Sequence, residues 1–476
     1  MPATAGTTAQ LLCAIAALLV AAHAMGQLFV RLRQPQVIGE ILGGLLLGPM
    51  VLGMAAPGVQ RWLLPSDGPV AGALSAFSTL GLLLLVHFTG AELHRGAGGA
   101  RRNTIVLITV IGLVLPFAVG LGMAYLADLD ELTGPNGSTT TLTLVFGMAI
   151  AVTSVPVISR IMLDLGILES VFARIVLAVA VAEDVVLYVV LAVVLGLAQA
   201  GSSGIPLWQL VSQEAPPDLV TYTYYAVVPV LFLGAVYWLG PGVYSRTAAA
   251  RANLVARRSP MAYRLLFVLV LCAACAGLGI DPIFGAVTSG MCVARAGAGQ
   301  RDGGPAAGGS GRRERDDGLR PFAMGVFVPV YFALVGVQLD LAHHFDFLFL
   351  CWFLALACAA KSFSVWLGAR LAGERNSTAV NLAVAMNARG GPGIVLASVT
   401  YAAEIIDRGF FTTLVLLSVI TSHLAGQWLG RAVARGIPLT DQDAPVPPPH
   451  GPREPGAGTS VGQRPTTASH PKEHLK

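Results

Sequence analysis

Charge is scarce in this sequence. Only 12% of its 476 residues are Asp, Glu, Lys or Arg, about half the share found in soluble globular chains, while 55% are hydrophobic and the mean hydropathy is +0.70. A soluble fold of this length is excluded, and the composition is that of an all-α polytopic membrane protein. Lysine is scarcer still: Lys361, Lys472 and Lys476 are the whole complement, and two of them lie in the polar tail. Cysteine is sparse as well, and Cys13, Cys272, Cys275, Cys292, Cys351 and Cys358 all sit inside apolar stretches. Cys272 and Cys275 have redox or zinc spacing, but no second pair accompanies them and their flanks are apolar, so they read as packing residues. No basic segment precedes the first apolar run, Leu11 to Ala22, which reads as a retained helix rather than a cleaved leader. The net charge of +4 comes from arginines in short connections, a topology signal and not a nucleic-acid footprint.

What the chain does have is long apolar runs. A membrane span needs about 20 apolar residues, and that ruler predicts thirteen helices, over 8–30, 36–54, 69–91, 103–126, 141–164, 169–197, 220–244, 260–278, 280–297, 321–339, 345–371, 378–403 and 409–432. Connections carrying Arg31, Arg95, Arg101, Arg102, Arg246, Arg251, Arg257, Arg258, Arg312 and Arg313, among other arginines, alternate with connections carrying only Arg61 and Arg408, alongside Asp128, Asp130, Glu131, Glu214 and Asp218. The positive-inside rule then places the N-terminus outside and the C-terminus in the cytoplasm, consistent with an odd helix count. Residues 1–432 form the transmembrane unit. Within it 298–320 is a Gly- and Arg-rich cytoplasmic linker, and 433–476 is a Pro-rich tail expected to be disordered.

Glu183 and Asp184 stand side by side in the middle of the run Val171 to Leu197. One acid at the centre of a membrane helix costs roughly 2.5 to 3.5 kcal/mol on insertion scales, so such residues mark ion pathways or proton relays. Lys361, deep in the eleventh span, is the natural counter-charge. A lysine can release its proton when buried and an arginine essentially cannot, so a Lys–carboxylate pair can take part in proton exchange. Neighbours on a helix point about 100° apart, so one acid can hold the lysine while the other faces a cavity. Glu40, beside Gly39 near a helix end, reads instead as a structural hydrogen-bonding group.

Two spans carry breaks. The fifth runs through Thr153-Ser154-Val155-Pro156, and the twelfth through Asn387-Ala388-Arg389-Gly390-Gly391-Pro392-Gly393. Proline removes a helix hydrogen bond, and unwound backbone survives at membrane depth only where protein or a wet cavity satisfies it. If the thirteen helices divide as six, a linker and six, the broken spans are the fifth of each half, the pattern of a transporter built from inverted repeats with its site at the crossing. Hydroxyls and carbonyls at Thr153 and Ser154, with the acids, offer oxygen ligands for which a monovalent cation and a proton can compete.

These residues and their flanks resemble the monovalent cation:proton antiporter-2 family. The likeness rests on Pro35-Gln36-Val37-Ile38-Gly39-Glu40 through Leu47-Gly48-Pro49, on Ser78-Thr79-Leu80-Gly81 with Thr89-Gly90-Ala91-Glu92, on Phe284-Gly285-Ala286, on Pro329-Val330-Tyr331-Phe332 and on Asn387 to Gly393, in order along about 10–430. The resemblance implies two six-helix inverted repeats with two discontinuous crossing helices, divided between a dimerisation and a core subdomain and working as a homodimer. It makes Asp184 the ion and proton carrier, with the monovalent cation held at Asp184 and Thr153 and with Ser154 lining the site. It makes Glu183 with Lys361 the charge-compensating pair linked to electrogenic exchange, and it places Asn387 at the crossing. Glu183 departs from the commoner aspartate. Arg389 is assigned to structural pairing.

The expected function is secondary exchange of Na+ or K+ for protons, with no cofactor and no enzymatic activity. A sodium-coupled organic-solute symporter on a related fold stays open, as does a potassium-selective electroneutral exchanger; the symporter would need a larger polar cavity and no lysine–dyad cluster. An intramembrane aspartyl protease is disfavoured, because Gly277-Leu278-Gly279-Ile280-Asp281 matches its Gly-x-Gly-Asp motif only superficially and no Tyr-Asp pair exists.

Overall fold

The computed structural model describes residues 5–32, 34–92, 102–126, 130–168, 170–200, 218–251, 253–299, 318–339, 341 and 345–440. Most of the expected linker and tail therefore lies outside the described residues. Helices account for nearly all of the rest, with one isolated antiparallel bridge between Thr133 and Ile406. Among the described residues, eleven helices are long and apolar enough to cross a membrane. Helix also forms at the other two expected segments: the fifth is split into two short pieces, and the ninth is the 18-residue Pro282–Gly299.

In chain order the helices are α1 (Ala5–Arg31), α2 (Gln36–Leu47), α3 (Leu52–Ala55), α4 (Pro57–Leu63), α5 (Gly68–Glu92), α6 (Arg102–Leu126), α7 (Thr139–Ala151), α8 (Val155–Asp164) and α9 (Val171–Ala200). They continue as α10 (Asp218–Ala249), α11 (Leu254–Arg258), α12 (Pro260–Gly277), α13 (Pro282–Gly299), α14 (Leu319–Gln338), α15 (Phe347–Leu371), α16 (Asn376–Ala385), α17 (Gly390–Ala402) and α18 (Arg408–Ala434).

The second expected span differs from its reading as one helix over 36–54. It stops at Leu47 and resumes only as the short α3, because Pro49 cannot donate to the ladder and Gly48 adopts an extended conformation. Proline does not always break a helix here: Pro116 lies inside α6, and Pro229 and Pro241 lie inside α10. In α14 a π-helical turn, Ala323–Phe327, lies just ahead of Pro329. Its wider winding moves the carbonyl that the proline ring would otherwise strike.

Close glycine contacts bind one group of helices. A Cβ on Gly39 or Gly43 would collide with α1 backbone at Met25 or Ala21; on Gly44 it would strike Ala333 of α14, and on Gly90 it would strike Val287 of α13. Helices α1, α2, α5, α13 and α14 are thereby fixed at near-contact distance. A second group comprises α6–α9 and α15–α18. There Phe146, Phe349, Phe353 and Phe410 knit α7, α15 and α18 together, with Phe146 and Phe353 centroids 4.7 Å apart. The candidate site lies within this second group.

Candidate functional site

Helix α9 starts where Ser170 Oγ accepts the Ala173 N–H, an N-cap that frees the apolar run to propagate. Glu183 and Asp184 fall near its middle and are buried, at 1% and 0% exposure. The rest of the site is set by the two helix breaks. Ser138 and Thr141 form a reciprocal capping box at the start of α7, which ends at Ala151. Ser154 Oγ accepts the Val157 N–H and so caps α8, with Pro156 in the first turn where a missing donor does no harm. A cap sequence, more than the proline alone, makes this break.

The twelfth span breaks between α16 and α17, and the two breaks touch. Thr153 Oγ1 donates to the Met386 carbonyl at 2.8 Å, and the Ser154 N–H donates to the Ala388 carbonyl at 2.7 Å. Asn387 Nδ2 donates to Ser362 Oγ and to the Ala383 carbonyl, both at 2.8 Å. The first N–H of α17, on Gly390, is taken by Ser422 Oγ of α18 at 3.0 Å. A Cβ on Gly390 would collide with Val157, so glycine lets α17 and α8 meet.

Two buried cations meet the C-terminal end of α7. Arg389, fully buried, donates through Nε to Ala149 O at 3.2 Å, through Nη2 to Ile150 O and Ala357 O at 3.0 and 2.8 Å, and through Nη1 to Asn387 Oδ1 at 3.3 Å. Lys361, also fully buried on α15, donates to Ala151 O at 2.7 Å and Gly112 O at 3.0 Å. Three successive carbonyls that the end of a helix leaves without partners are thus satisfied, with positive charge at the negative pole of the helix dipole. Arg389→Ala is expected to lower stability by about 3 kcal/mol or more, since several buried acceptors lose their donor together. Thermal unfolding in detergent reads this, and an unchanged midpoint would show that the carbonyls do not depend on the guanidinium.

Lys361 Nζ also donates to both Glu183 carboxylate oxygens at 2.8 Å. Asp184, with Thr153 and Glu183, lines a cavity of about 170 Å³. The remaining wall is apolar: Leu113, Val114 and Phe117 of α6 face Val186, Leu187 and Val190 of α9. Ser154 is not in this wall; its hydroxyl serves the α8 cap. With both acids ionised, Glu183, Asp184, Lys361 and Arg389 sum to zero charge. A proton on Asp184, or a monovalent cation beside its carboxylate, adds the same single positive charge, so the surroundings see the two alternatives as electrostatic equivalents. No group of three or more His, Cys, Asp or Glu able to hold a metal occurs among the described residues.

Several parts of this arrangement had no residue signature. The Gly112, Ala149, Ile150 and Ala151 carbonyls are backbone atoms, Ser422 is one of many hydroxyls in α18, and the α6 wall consists of ordinary apolar residues. Glu40 does accept a hydrogen bond, from Gln36 Nε2 one turn earlier at 2.8 Å.

The family model for the sodium/hydrogen exchanger, transmembrane, matches residues 14–435. The chain belongs to the sodium/hydrogen exchanger family. Similar members include Cation/H(+) antiporter 20 of Arabidopsis thaliana, 27% identical over 83% of this chain and 45% of that protein. Others are the Na(+)/H(+) antiporter NhaS4 of Synechocystis, 24% identical over 84% of this chain and 92% of the relative, and the Na(+)/H(+)-K(+) antiporter GerN of Bacillus cereus, 23% identical over 86% and 93%. This exchanger-family chain thus spans less than half the length of the plant relative and nearly all of the two bacterial ones. Among solved structures, the sodium proton antiporter MjNhaP1 from Methanocaldococcus jannaschii superposes with a TM-score of 0.53 at 15% identity, covering 89% of this chain and 98% of that one. That likeness concerns the fold, a multi-pass helical membrane protein.

Proposed function

We propose that this protein exchanges a monovalent cation, Na+ or K+, for protons across a membrane, with Asp184 as the shared carrier. The observation that carries the reading is the division of labour in the dyad: Lys361 grips both oxygens of Glu183, while Asp184 lines the cavity beside Thr153. Deprotonated Asp184 and the Thr153 oxygen take the cation, and protonation of Asp184 releases it. Ser154 contributes by holding the break open for Thr153. Asn387 and Arg389 keep the crossing rigid. One proton on Asp184 against one cation is electroneutral, so electrogenic exchange takes a second proton, which the buried Glu183–Lys361 pair supplies by releasing the lysine's proton.

The thirteen helical segments are assigned as thirteen crossings in two inverted six-helix repeats, N-terminus outside and C-terminus in the cytoplasm. The glycine-bound helices form the dimerisation subdomain of a homodimer, and α6–α9 with α15–α18 form the core that moves in alternating access. The names of the relatives, all cation/proton antiporters, support transport over enzymatic turnover.

Dissipation of an imposed pH gradient in proteoliposomes, on adding Na+ or K+ at clamped and unclamped voltage, tests the reading and identifies the ion. Cation-dependent proton movement is expected; its absence with both ions would remove the proposal. Thr153→Val keeps the side chain's shape and deletes a ligand hydroxyl, so the cation concentration for half-maximal exchange should rise about tenfold, the scale of one hydrogen-bond-strength contact. Unchanged half-saturation would take Thr153 out of the binding site.

A further inference from the structure

Tyr331 belongs to α14, in the glycine-bound group, and is buried at 2% exposure. A Cβ on Gly81 would press on its Cβ, so that glycine seats the tyrosine firmly against α5. Its hydroxyl leaves this group and donates to Ser398 Oγ of α17 at 2.9 Å. Helix α17 begins at the crossing, directly after Arg389, whose guanidinium fastens it to the end of α7. On α9, Tyr188 is buried one turn beyond Asp184, within electrostatic reach of both Asp184 and Tyr331. The seam between the two helix groups therefore carries a direct hydroxyl–hydroxyl bond, and Tyr188 lies between it and the carrier. A buried phenol needs a partner, and relative sliding of the groups would separate this one from Ser398.

We infer that the Tyr331–Ser398 hydrogen bond is a latch across the seam that stabilises the state described here, and that Tyr331 is a positioning residue setting how often the core moves. The inference rests on the proposed alternating-access reading. Tyr331 touches neither ion nor proton. It acts by holding α17, and through Arg389 the crossing, against the static group. Breaking the latch shifts the population toward the other arrangement by the amount that one net hydrogen bond moves a two-state equilibrium, about 2- to 12-fold.

The test is a double-mutant cycle on the full chain. Tyr331→Phe and Ser398→Ala should each speed deuterium uptake in Gly390–Ala402 and in the helix around residue 331, and should shift the apparent cation KM by about 2- to 12-fold. The double variant should match either single one, because both remove the same bond. Ser398→Thr, which retains a hydroxyl, should stay close to the parent. Unchanged uptake in both helices, additive effects in the double variant, or a loss of thermal stability with KM unmoved would each overturn the latch. Deuterium uptake in detergent needs no transport. Failure of the exchange reading would instead appear as an unvariant protein that moves no protons on adding cation, so the two failures are separable.

Discussion

Asp184→Asn is expected to abolish cation-driven proton movement in proteoliposomes while leaving the protein folded. Asparagine keeps the shape and an oxygen beside the cavity, but it neither gains nor loses a proton and carries no charge for a cation. A carrier that must do both in each cycle cannot be replaced by an amide, and the loss should be at least about 100-fold, the lower scale for deleting a group that performs proton transfer. The variant's unfolding midpoint should stay close to the parent's, because asparagine matches the aspartate in shape and spares the fully buried position the cost of desolvating a charge. The competition also fixes the sign of the pH dependence. With one proton competing against one cation, half-saturation by cation should rise as the pH falls, by at most about tenfold per unit. Full exchange by Asp184→Asn would move the carrier elsewhere.

Lys361→Met should be the more damaging change to the fold. Lys361 is fully buried and bonds both Glu183 oxygens and two backbone carbonyls. Removing it strands a buried carboxylate, a loss of about 3 to 5 kcal/mol when one partner of a buried pair is deleted. Adding Glu183→Gln should restore much of that loss, since the stranded charge disappears with its partner. The two effects are separable. The double variant should regain its unfolding temperature but move less charge per cation, because the lysine's exchangeable proton is gone. Equal instability of single and double variants would place the lysine's value in the Ala151 and Gly112 carbonyls instead of the ion pair.

The parts of this site legible in the sequence were those that violate the chemistry of a membrane interior. Glu183, Asp184 and Lys361 stood out because each carries charge where hydrocarbon penalises it. Helix existence was legible for the same reason that length and apolarity determine a span. Local geometry was less accessible. Pro156 marks a true break and Pro116 does not, because Ser154 supplies an N-cap at one and nothing comparable interrupts the other. The end of α2 at Leu47 was hidden inside a continuous apolar run. Arg389 could be read as a structural group, yet its acceptors on α7 are carbonyls that any sequence would provide. Tyr331 was visible as a motif residue, but its partner lies 67 positions away on another helix.

Proton release on cation binding tests the shared-carrier claim most directly. Purified protein in weakly buffered detergent, near the pH where Asp184 is half protonated, is mixed with Na+ or K+ and a pH-indicating dye. Displacement of the Asp184 proton predicts release that saturates with the cation and disappears in Asp184→Asn. Cation binding with no proton release, or release undiminished in Asp184→Asn, would contradict it.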